Sequence, residues 1–240
     1  METLVQKLCD WMKDKVTKAK AEGVVLGLSG GIDSAVVAAL SIRVFPQNTL
    51  AIIMPCYSLD TDIDDALDFI NKFSISYKII DLSKVYNSLI QLLNDEEREE
   101  SFRLAEANIK PRLRMITSYY FANKLNYLVM GAGNKSELTI GYFTKYGDGG
   151  VDILPLGNLL KSQIKELAEY LNIPKKIINK PPSAGLWEGQ TDEEEIGISY
   201  DQLDKYFKTG KLNNKIIEEK ILDRIAKNAH KRIIPVKPSF

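Results

Sequence analysis

Apolar residues recur at three- and four-residue intervals through the first twenty positions, at Leu4, Val5, Leu8, Trp11, Met12 and Val16. That spacing predicts an amphipathic opening helix over residues 2–20. A short continuous apolar run follows, GVVLGLSGG at 23–31, and reads as a buried strand ending in glycines. IDSAVVAALSIRVF then reads as a helix. TLAIIM at 49–54 is a second strand stopped by Pro55, residues 60–73 are helical in pattern, and SYKIID at 76–81 is a third strand. A helix is expected around 83–93. It runs into the charged segment NDEEREE at 94–100, which reads as a solvated excursion rather than a site. Another helix is expected over about 101–124, with Pro111 as a kink or a break. NYLVMGAGN at 126–134 is a fourth strand opening into a loop. Strands alternating with helices at this spacing predict an α/β fold, an open and mainly parallel sheet with helices on both faces.

Beyond residue 140 the pattern changes. GYFTKYGDGG at 141–150 and KPPSAGLWEGQTDEEE at 180–195 are long, polar and rich in Gly or Pro. Loops of that length inside a compact domain are usually functional or mobile. The 240 residues suit one domain spanning 1–240, and a composition of 45% hydrophobic and 27% charged residues supports a folded core. No apolar run approaches the roughly 20 residues that cross a bilayer, and the charged opening helix has the character of neither a signal peptide nor an anchor. Thirty-two basic residues balance thirty-two acidic ones, which gives no overall field for nucleic acid. The local clusters Lys110-Arg112-Arg114 and His230-Lys231-Arg232 suggest a small anionic ligand instead. Cys9 and Cys56 form no C-x-x-C pair and read as idle thiols of a reducing, cytoplasmic setting.

Candidate chemistry concentrates first between the first strand and the second helix, at Leu28-Ser29-Gly30-Gly31-Ile32-Asp33-Ser34. Two glycines let the backbone turn tightly and approach an anion, Ser29 and Ser34 add hydroxyls, and the next helix aims its N-terminal amides at the same place. A carboxylate inside an anion cradle makes sense if Asp33 holds Mg²⁺ bridging to pyrophosphate oxygens. The segment lacks both the G-K-[ST] ending of a Walker A loop and the G-x-G-x-x-G spacing of a dinucleotide fingerprint. SGGIDS is similar to the pyrophosphate loop of the N-type ATP pyrophosphatases, which cleave ATP between its α- and β-phosphates and share an adenine nucleotide alpha-hydrolase-like fold. Within that superfamily the acceptor is open at this point.

Four further segments resemble the NAD synthetase family, and the resemblance runs from about residue 20 to the end. Asn108 to Met115 is similar to the family's N-x-x-x-R-x-R-M helix. Gly131-Ala132-Gly133-Asn134-Lys135-Ser136-Glu137 is similar to G-T-G-N-x-S-E, with Ala132 where the family often has threonine. Gly141 to Asp152 resembles the G-[FY]-F-T-K-[FY]-G-D-G-G-x-D loop. Lys180 to Glu193 resembles the P-[ST]-A-x-L-W-x-x-Q-x-D-E signature, and His230-Lys231-Arg232 matches a C-terminal H-K-R. The resemblance implies that Gly27, Leu28, Ser29, Gly30, Gly31, Ile32, Asp33 and Ser34, with Ala132, Lys161 and Ser183, contact ATP. It implies that Arg112, Lys145, Asp152, His230 and Lys231 contact nicotinate adenine dinucleotide (deamido-NAD), and that Asp33 and Glu137 ligate the metal. Trp187 reads better as a plug packing its loop onto the body than as a lid.

The reaction so implied is amidation of deamido-NAD to NAD, with ATP leaving as AMP and pyrophosphate through an acyl-adenylate. Its expected catalytic parts are Asp33 and Lys161, with Asp148 or Asp152 accepting a proton from ammonium. Ammonia is the expected nitrogen source, because about twenty residues before the first strand leave no room for a glutaminase domain. A homodimer is also implied, with the opening helix as one candidate contact. Two rivals stay open: another acceptor within the superfamily, such as that of GMP synthetase, and a non-catalytic adenine-nucleotide sensor on the same sheet.

Overall fold

A computed structural model describes residues 1–93, 102–187 and 189–239. The charged segment 94–100 lies outside the described residues. Four strands, β1 (Gly23–Gly27), β2 (Thr49–Ile53), β3 (Ser76–Ile79) and β4 (Tyr127–Met130), form one sheet in the order β3-β2-β1-β4. Every pairing is parallel, with Val25 opposite Leu50 on one side and opposite Val129 on the other. A single parallel bridge from Met130 to Ile153 extends the β4 edge.

The first half of the chain folds as its periodicity predicts. Helices α1 (Glu2–Lys18), α2 (Ile32–Val44), α3 (Asp60–Phe73) and α4 (Ser83–Leu93) connect or flank the strands. The helix expected over 101–124 is two: α5 (Arg103–Ala107) and α6 (Ile109–Leu125). The break falls at Asn108, three residues ahead of Pro111. Proline there occupies the first turn of α6, where its missing N–H and the clash with the preceding carbonyl cost least.

Two apolar layers sandwich the sheet. On one side α1, α2 and α8 (Lys161–Tyr170) bury Met12, Leu26, Leu40 and Leu167. On the other, α6 covers Val25, Ile52 and Val129 with Phe121 and Ala122. Val5, Met12 and Val16 of α1 are all buried, so the amphipathic pattern of that helix is satisfied within the chain. A third, separate core forms in the C-terminal part. There α7 (Lys135–Ile140), α10 (Asp192–Ile196), α11 (Tyr200–Thr209) and α12 (Lys215–Lys227) enclose Ile140, Ile196, Leu203 and Ile221. The short helix α9 (Lys175–Ile178) ends just before the 180–191 loop.

Because β1 pairs with β2 on one side and β4 on the other, the order in which strands are added along the sheet reverses between β1 and β4. In open parallel sheets a crevice opens at the carboxyl ends of such strands and takes the ligand. Here the glycine loop after β1 and the Gly131–Glu137 segment after β4 both empty into it. Among the described residues no helix is long and apolar enough to cross a membrane.

Met12 is fully buried between α1 and the α2 layer. Met12→Ala is expected to lower the unfolding free energy by about 2–5 kcal/mol, the range for large-to-small core changes. Urea denaturation followed by circular dichroism reads this; a loss under about 1 kcal/mol would mean that α1 is not part of the core.

Candidate active site

A cavity of about 580 Å³ opens at the β1/β4 switch point. Its floor is the loop after β1. Ser34 Oγ donates to the Gly31 carbonyl at 3.0 Å and lies 3.1 Å from Ser29 Oγ, which folds the loop back over the start of α2. Gly30 has φ +78°, and a Cβ there would lie 2.3 Å from the Asp62 carbonyl oxygen, so only glycine fits. The loop therefore presents Ser29, Gly31, Ile32 and Asp33 to the cavity at the N-terminus of a 13-residue helix, while Gly30 backs onto α3. This is an anion cradle.

The segment after β4 supplies the opposing carboxylate. Asn134 caps α7: its side chain accepts from the Glu137 amide at 3.0 Å, and Glu137 Oε2 accepts from the Asn134 amide at 3.2 Å. The N-x-x-E spacing is a capping box, and it fixes the Glu137 rotamer. Asn134 is itself buried and donates to Asp33 Oδ1 at 3.3 Å, which links the two loops. Lys161, the first residue of α8, lies between the acids, 2.5 Å from Asp33 Oδ2 and 3.5 Å from Glu137 Oε1.

Burial sets the electrostatics of this group. It pushes the Glu137 carboxyl up to about 7, against the pull of Lys161. Burial also works to lower the Lys161 ammonium, but Asp33 and Glu137 outweigh it and hold it above its ordinary value. A hydroxyl network extends the cluster. Tyr200 Oη lies 3.2 Å from Glu137 Oε1 and 2.8 Å from Asp192 Oδ2; Tyr142 Oη lies 3.1 Å from Asp192 Oδ1 and 2.9 Å from Glu195 Oε2. Burial raises Asp192.

The structure brings together most of the residues expected on the ATP side. Gly27, Leu28, Ser29, Gly31, Ile32, Asp33, Ser34, Ala132, Glu137, Lys161 and Ser183 all line the cavity, as does Asp148. Of the residues expected on the dinucleotide side, Lys231 lines it, donating to the carbonyls of Gly141 and Phe143 at 2.8 and 2.9 Å. Exposed Arg112 and His230 are linked at the rim through half-buried Lys145: Arg112 donates to the Lys145 carbonyl at 3.3 Å, and Lys145 Nζ donates to the His230 carbonyl at 2.7 Å. Asp152 stands apart from them. Its carboxylate accepts from Tyr119 Oη at 2.9 Å and from the Val129 amide at 2.7 Å, tying its loop to the edge of β4.

The 180–191 loop closes one side. Lys110, buried, donates to the Leu186 carbonyl at 2.6 Å, and the Arg103 guanidinium sits 4.7 Å from the centre of the half-buried Trp187 ring. The contact shown for Trp187 is thus a cation above its ring rather than the apolar slot that a plug would fill. Lys180 pairs with Asp62 and Asp65 on α3 at 2.5 and 2.7 Å.

A model of the NAD synthase family matches residues 4–235. The chain belongs to the NAD synthase family. An NH3-dependent NAD+ synthetase of Carboxydothermus hydrogenoformans is 50% identical, the match covering 99% of this chain and 97% of that one. Another from Archaeoglobus fulgidus is 45% identical, over 98% and 95%. Among solved structures, an NMN synthetase from Francisella tularensis superposes with a TM-score of 0.93 at 40% identity, covering 100% of this chain and 98% of that one. An NH3-dependent NAD synthetase from Campylobacter jejuni, in complex with nitrate, gives 0.80 at 34% identity, over 99% and 98%. Family membership accounts for the paired phosphate and carboxylate loops at one switch point.

Sequence reasoning did not single out Tyr142, Tyr200 or Asp192, and named Arg114 only as part of a basic cluster. Arg114 lines the cavity and donates to the Met54 carbonyl at 3.2 Å. Tyr142 and Asp192 lay inside segments already singled out, so their motif position was a usable signal. Tyr200, on α11, had no such signal.

Burial pushes the Asp148 carboxyl above its ordinary 3.8, against the Thr144 amide that donates to it at 2.8 Å. The folded chain then holds this proton to higher pH than the unfolded chain, so the ionisation costs stability as pH rises above 3.8. Asp148→Asn, whose amide oxygen still accepts from Thr144, is expected to gain in melting temperature relative to the natural chain as pH rises above 3.8. A pH-independent difference between the two would contradict this.

Proposed function

We propose that the chain is an ammonia-dependent ligase that amidates the nicotinate carboxylate of deamido-NAD, using ATP and giving NAD, AMP and pyrophosphate. The observation that carries this is the Asp33–Lys161–Glu137 cluster facing a helix-terminal anion cradle in one cavity. A carboxylate is a poor electrophile, and ATP is a polyanion. Bringing them together requires concentrated positive charge and donors already in place. The loop amides, the α2 N-terminus and Lys161 supply these for the phosphates. The carboxylate attacks the α-phosphorus, pyrophosphate leaves, and the resulting acyl-adenylate gives AMP when ammonia attacks. Asp148, which lines the cavity close to Lys231, is the group placed to accept a proton from ammonium.

Asp33 and Glu137 fit Mg²⁺. Among the described residues no three acids or thiols gather as a closed metal cage. Mg²⁺ is commonly held by one or two carboxylates and completes its shell with water and substrate phosphates. Two carboxylates within 3.5 Å of one ammonium, beside the anion cradle, are such a donor set. When bound there, Mg²⁺ supplies charge neutralisation for the departing pyrophosphate. A cytoplasmic setting suits the two free cysteines.

A second reading concerns the acid rather than the chemistry. The 0.93 superposition on an NMN synthetase favours nicotinate mononucleotide as a competing substrate. The two acids share the reacting nicotinate and differ by the adenylate portion, which only the rim residues would meet. The test is NAD formation from deamido-NAD, ATP, Mg²⁺ and ammonium, with glutamine as the alternative nitrogen donor and nicotinate mononucleotide as the alternative acid. Stoichiometric NAD, AMP and pyrophosphate with ammonium, and a higher kcat/KM for deamido-NAD, is the expected result. A higher kcat/KM for the mononucleotide would replace the assigned substrate. ATP cleavage with neither acid would sink both readings.

A homodimer fits the surface of α6. Arg112, Ile116 and Tyr120 fall at successive turns of one face, and Ile116 and Tyr120 are each 59% exposed. A second copy laid on this face covers apolar area and borders the rim carrying Arg112 and Lys145. Ile116→Glu is expected to shift the sedimenting species from dimer toward monomer and to raise KM for the dinucleotide more than KM for ATP. An unchanged sedimentation profile would move the interface elsewhere.

A further inference from the structure

Glu137 and Lys161 sit in the first turns of two different helices, α7 and α8, and meet at 3.5 Å. Neither helix sets that separation by itself. A third helix touches both. α11 carries Tyr200 and Asp204, one turn apart on one face. Asp204 is 5% exposed; its Oδ1 accepts from Ser136 Oγ at 2.9 Å and its Oδ2 from the Ser162 amide at 2.8 Å. Ser136 directly precedes Glu137, and Ser162 directly follows Lys161. One carboxylate therefore grips the chain beside each member of the pair. Tyr200 adds the upper contacts, with its hydroxyl 3.2 Å from Glu137 Oε1 and the Lys161 ammonium 4.9 Å from its ring centre.

We propose that Asp204 is a positioning residue for the reaction: it fixes α7 against α8, and so holds Glu137 and Lys161 at the spacing that the phosphates of ATP require. The inference rests on the roles given above to those two residues. Hydrogen bonds to an ionised acceptor are roughly twice as strong as neutral ones, and the Ser162 amide lies in the first turn of α8, where the helix dipole favours an anion. Asp204 has two side-chain torsions, and its neighbour Leu203 is fully buried in the C-terminal core, so the pin is anchored at its base. A pin of this kind acts on geometry rather than on ligand contact. Misplacement of a catalytic group by about 1 Å can cost roughly 100-fold in rate.

The test compares Asp204→Asn, Ser136→Ala, their double variant, Lys161→Ala and Glu137→Gln, reading kcat, KM for ATP and the melting curve of each. Asp204→Asn keeps the shape but removes the charge: its amide oxygen accepts from the Ser162 amide and its NH2 turns to the Ser136 hydroxyl, so both charge-assisted grips become weaker neutral ones. It is expected to lower kcat by about 10- to 100-fold at saturating substrates, with KM for ATP within about threefold of natural. Ser136→Ala removes only the α7 grip and is expected to lower kcat by a smaller factor, with little change in melting. The double variant is expected to be no slower than Asp204→Asn alone, because the two changes cut the same link. A purely structural Asp204 would lower the melting temperature and leave kcat per folded molecule intact, and that result overturns the proposal. If Asp204→Asn fails to fold, Ser136→Ala decides: reduced kcat with natural melting supports the pin, undiminished kcat overturns it. Natural turnover by Lys161→Ala and Glu137→Gln would remove the site reading and this inference together. Inactivity of those two beside full kcat in Asp204→Asn and Ser136→Ala would remove the inference alone.

Discussion

Two carboxylates facing one another in a buried cleft cannot both stay charged without a counter-ion, and the site is organised around that constraint. Asp33 and Glu137 repel each other, and burial penalises both. The Lys161 ammonium lies 2.5 Å from one and 3.5 Å from the other. Unit charges about 4 Å apart attract by roughly 1 kcal/mol in water and roughly 4 kcal/mol at the effective dielectric near a protein surface. The pair is worth having only where water is scarce, and at that depth losing one partner leaves a charge that nothing else offsets. In the free chain Lys161 offsets one of the two carboxylate charges, and burial drives Glu137 toward its protonated form. In the proposed reaction the phosphates of ATP compete for Lys161, and a divalent ion would replace it as partner for the acids.

This exchange needs a stiff frame, and the frame comes from three places in the chain. The sheet sets where the two loops end, because β1 and β4 are paired in register from Gly23 and Tyr127 onward. The capping box at Asn134 sets where the Glu137 carboxylate points. The C-terminal core sets how α7 and α8 lie, through α11. On the inference drawn for Asp204, a helix some 40 residues beyond Lys161 in sequence serves the charge cluster, through Asp204 and Tyr200.

How much of this the sequence disclosed follows from the range of each interaction. Residues Ser29 to Ser34 were legible because a phosphate loop is local: strand, glycines and helix are contiguous, and the backbone itself makes the cradle. Asn134-Lys135-Ser136-Glu137 was legible for the same reason, as a capping box closes within four residues. The break at Asn108 was misread by a few positions, since Pro111 marks a helix start as readily as a helix interruption. Tyr200 and Asp204 were not legible. Their partners lie 63, 68 and 42 residues away, and an i, i+4 pair of Tyr and Asp on a helix with an apolar stripe looks like ordinary surface or core. Asp152 was read as a ligand contact from its motif, while the structure engages both its oxygens with Tyr119 and the β4 edge, a use that only the sheet topology reveals.

The cavity and its rim divide the labour. In the proposed reaction, activation of a carboxylate by ATP falls to the loop after β1, the acids and Lys161, all of which line one cavity. The same proposal gives recognition of what carries that carboxylate to Arg112, Lys145 and His230, which sit outside it and hold one another by backbone carbonyls. Contacts of that kind are individually weak and exposed, so they shift with few substitutions, whereas the buried charge cluster tolerates almost none. A fold built this way keeps its reaction while its acid substrate varies. The high superposition on a structure described as an NMN synthetase, alongside relatives described as NAD synthetases, is what such a division would produce. Product identity is then a property of the rim and of whatever second surface meets it, and the sheet by itself cannot specify it.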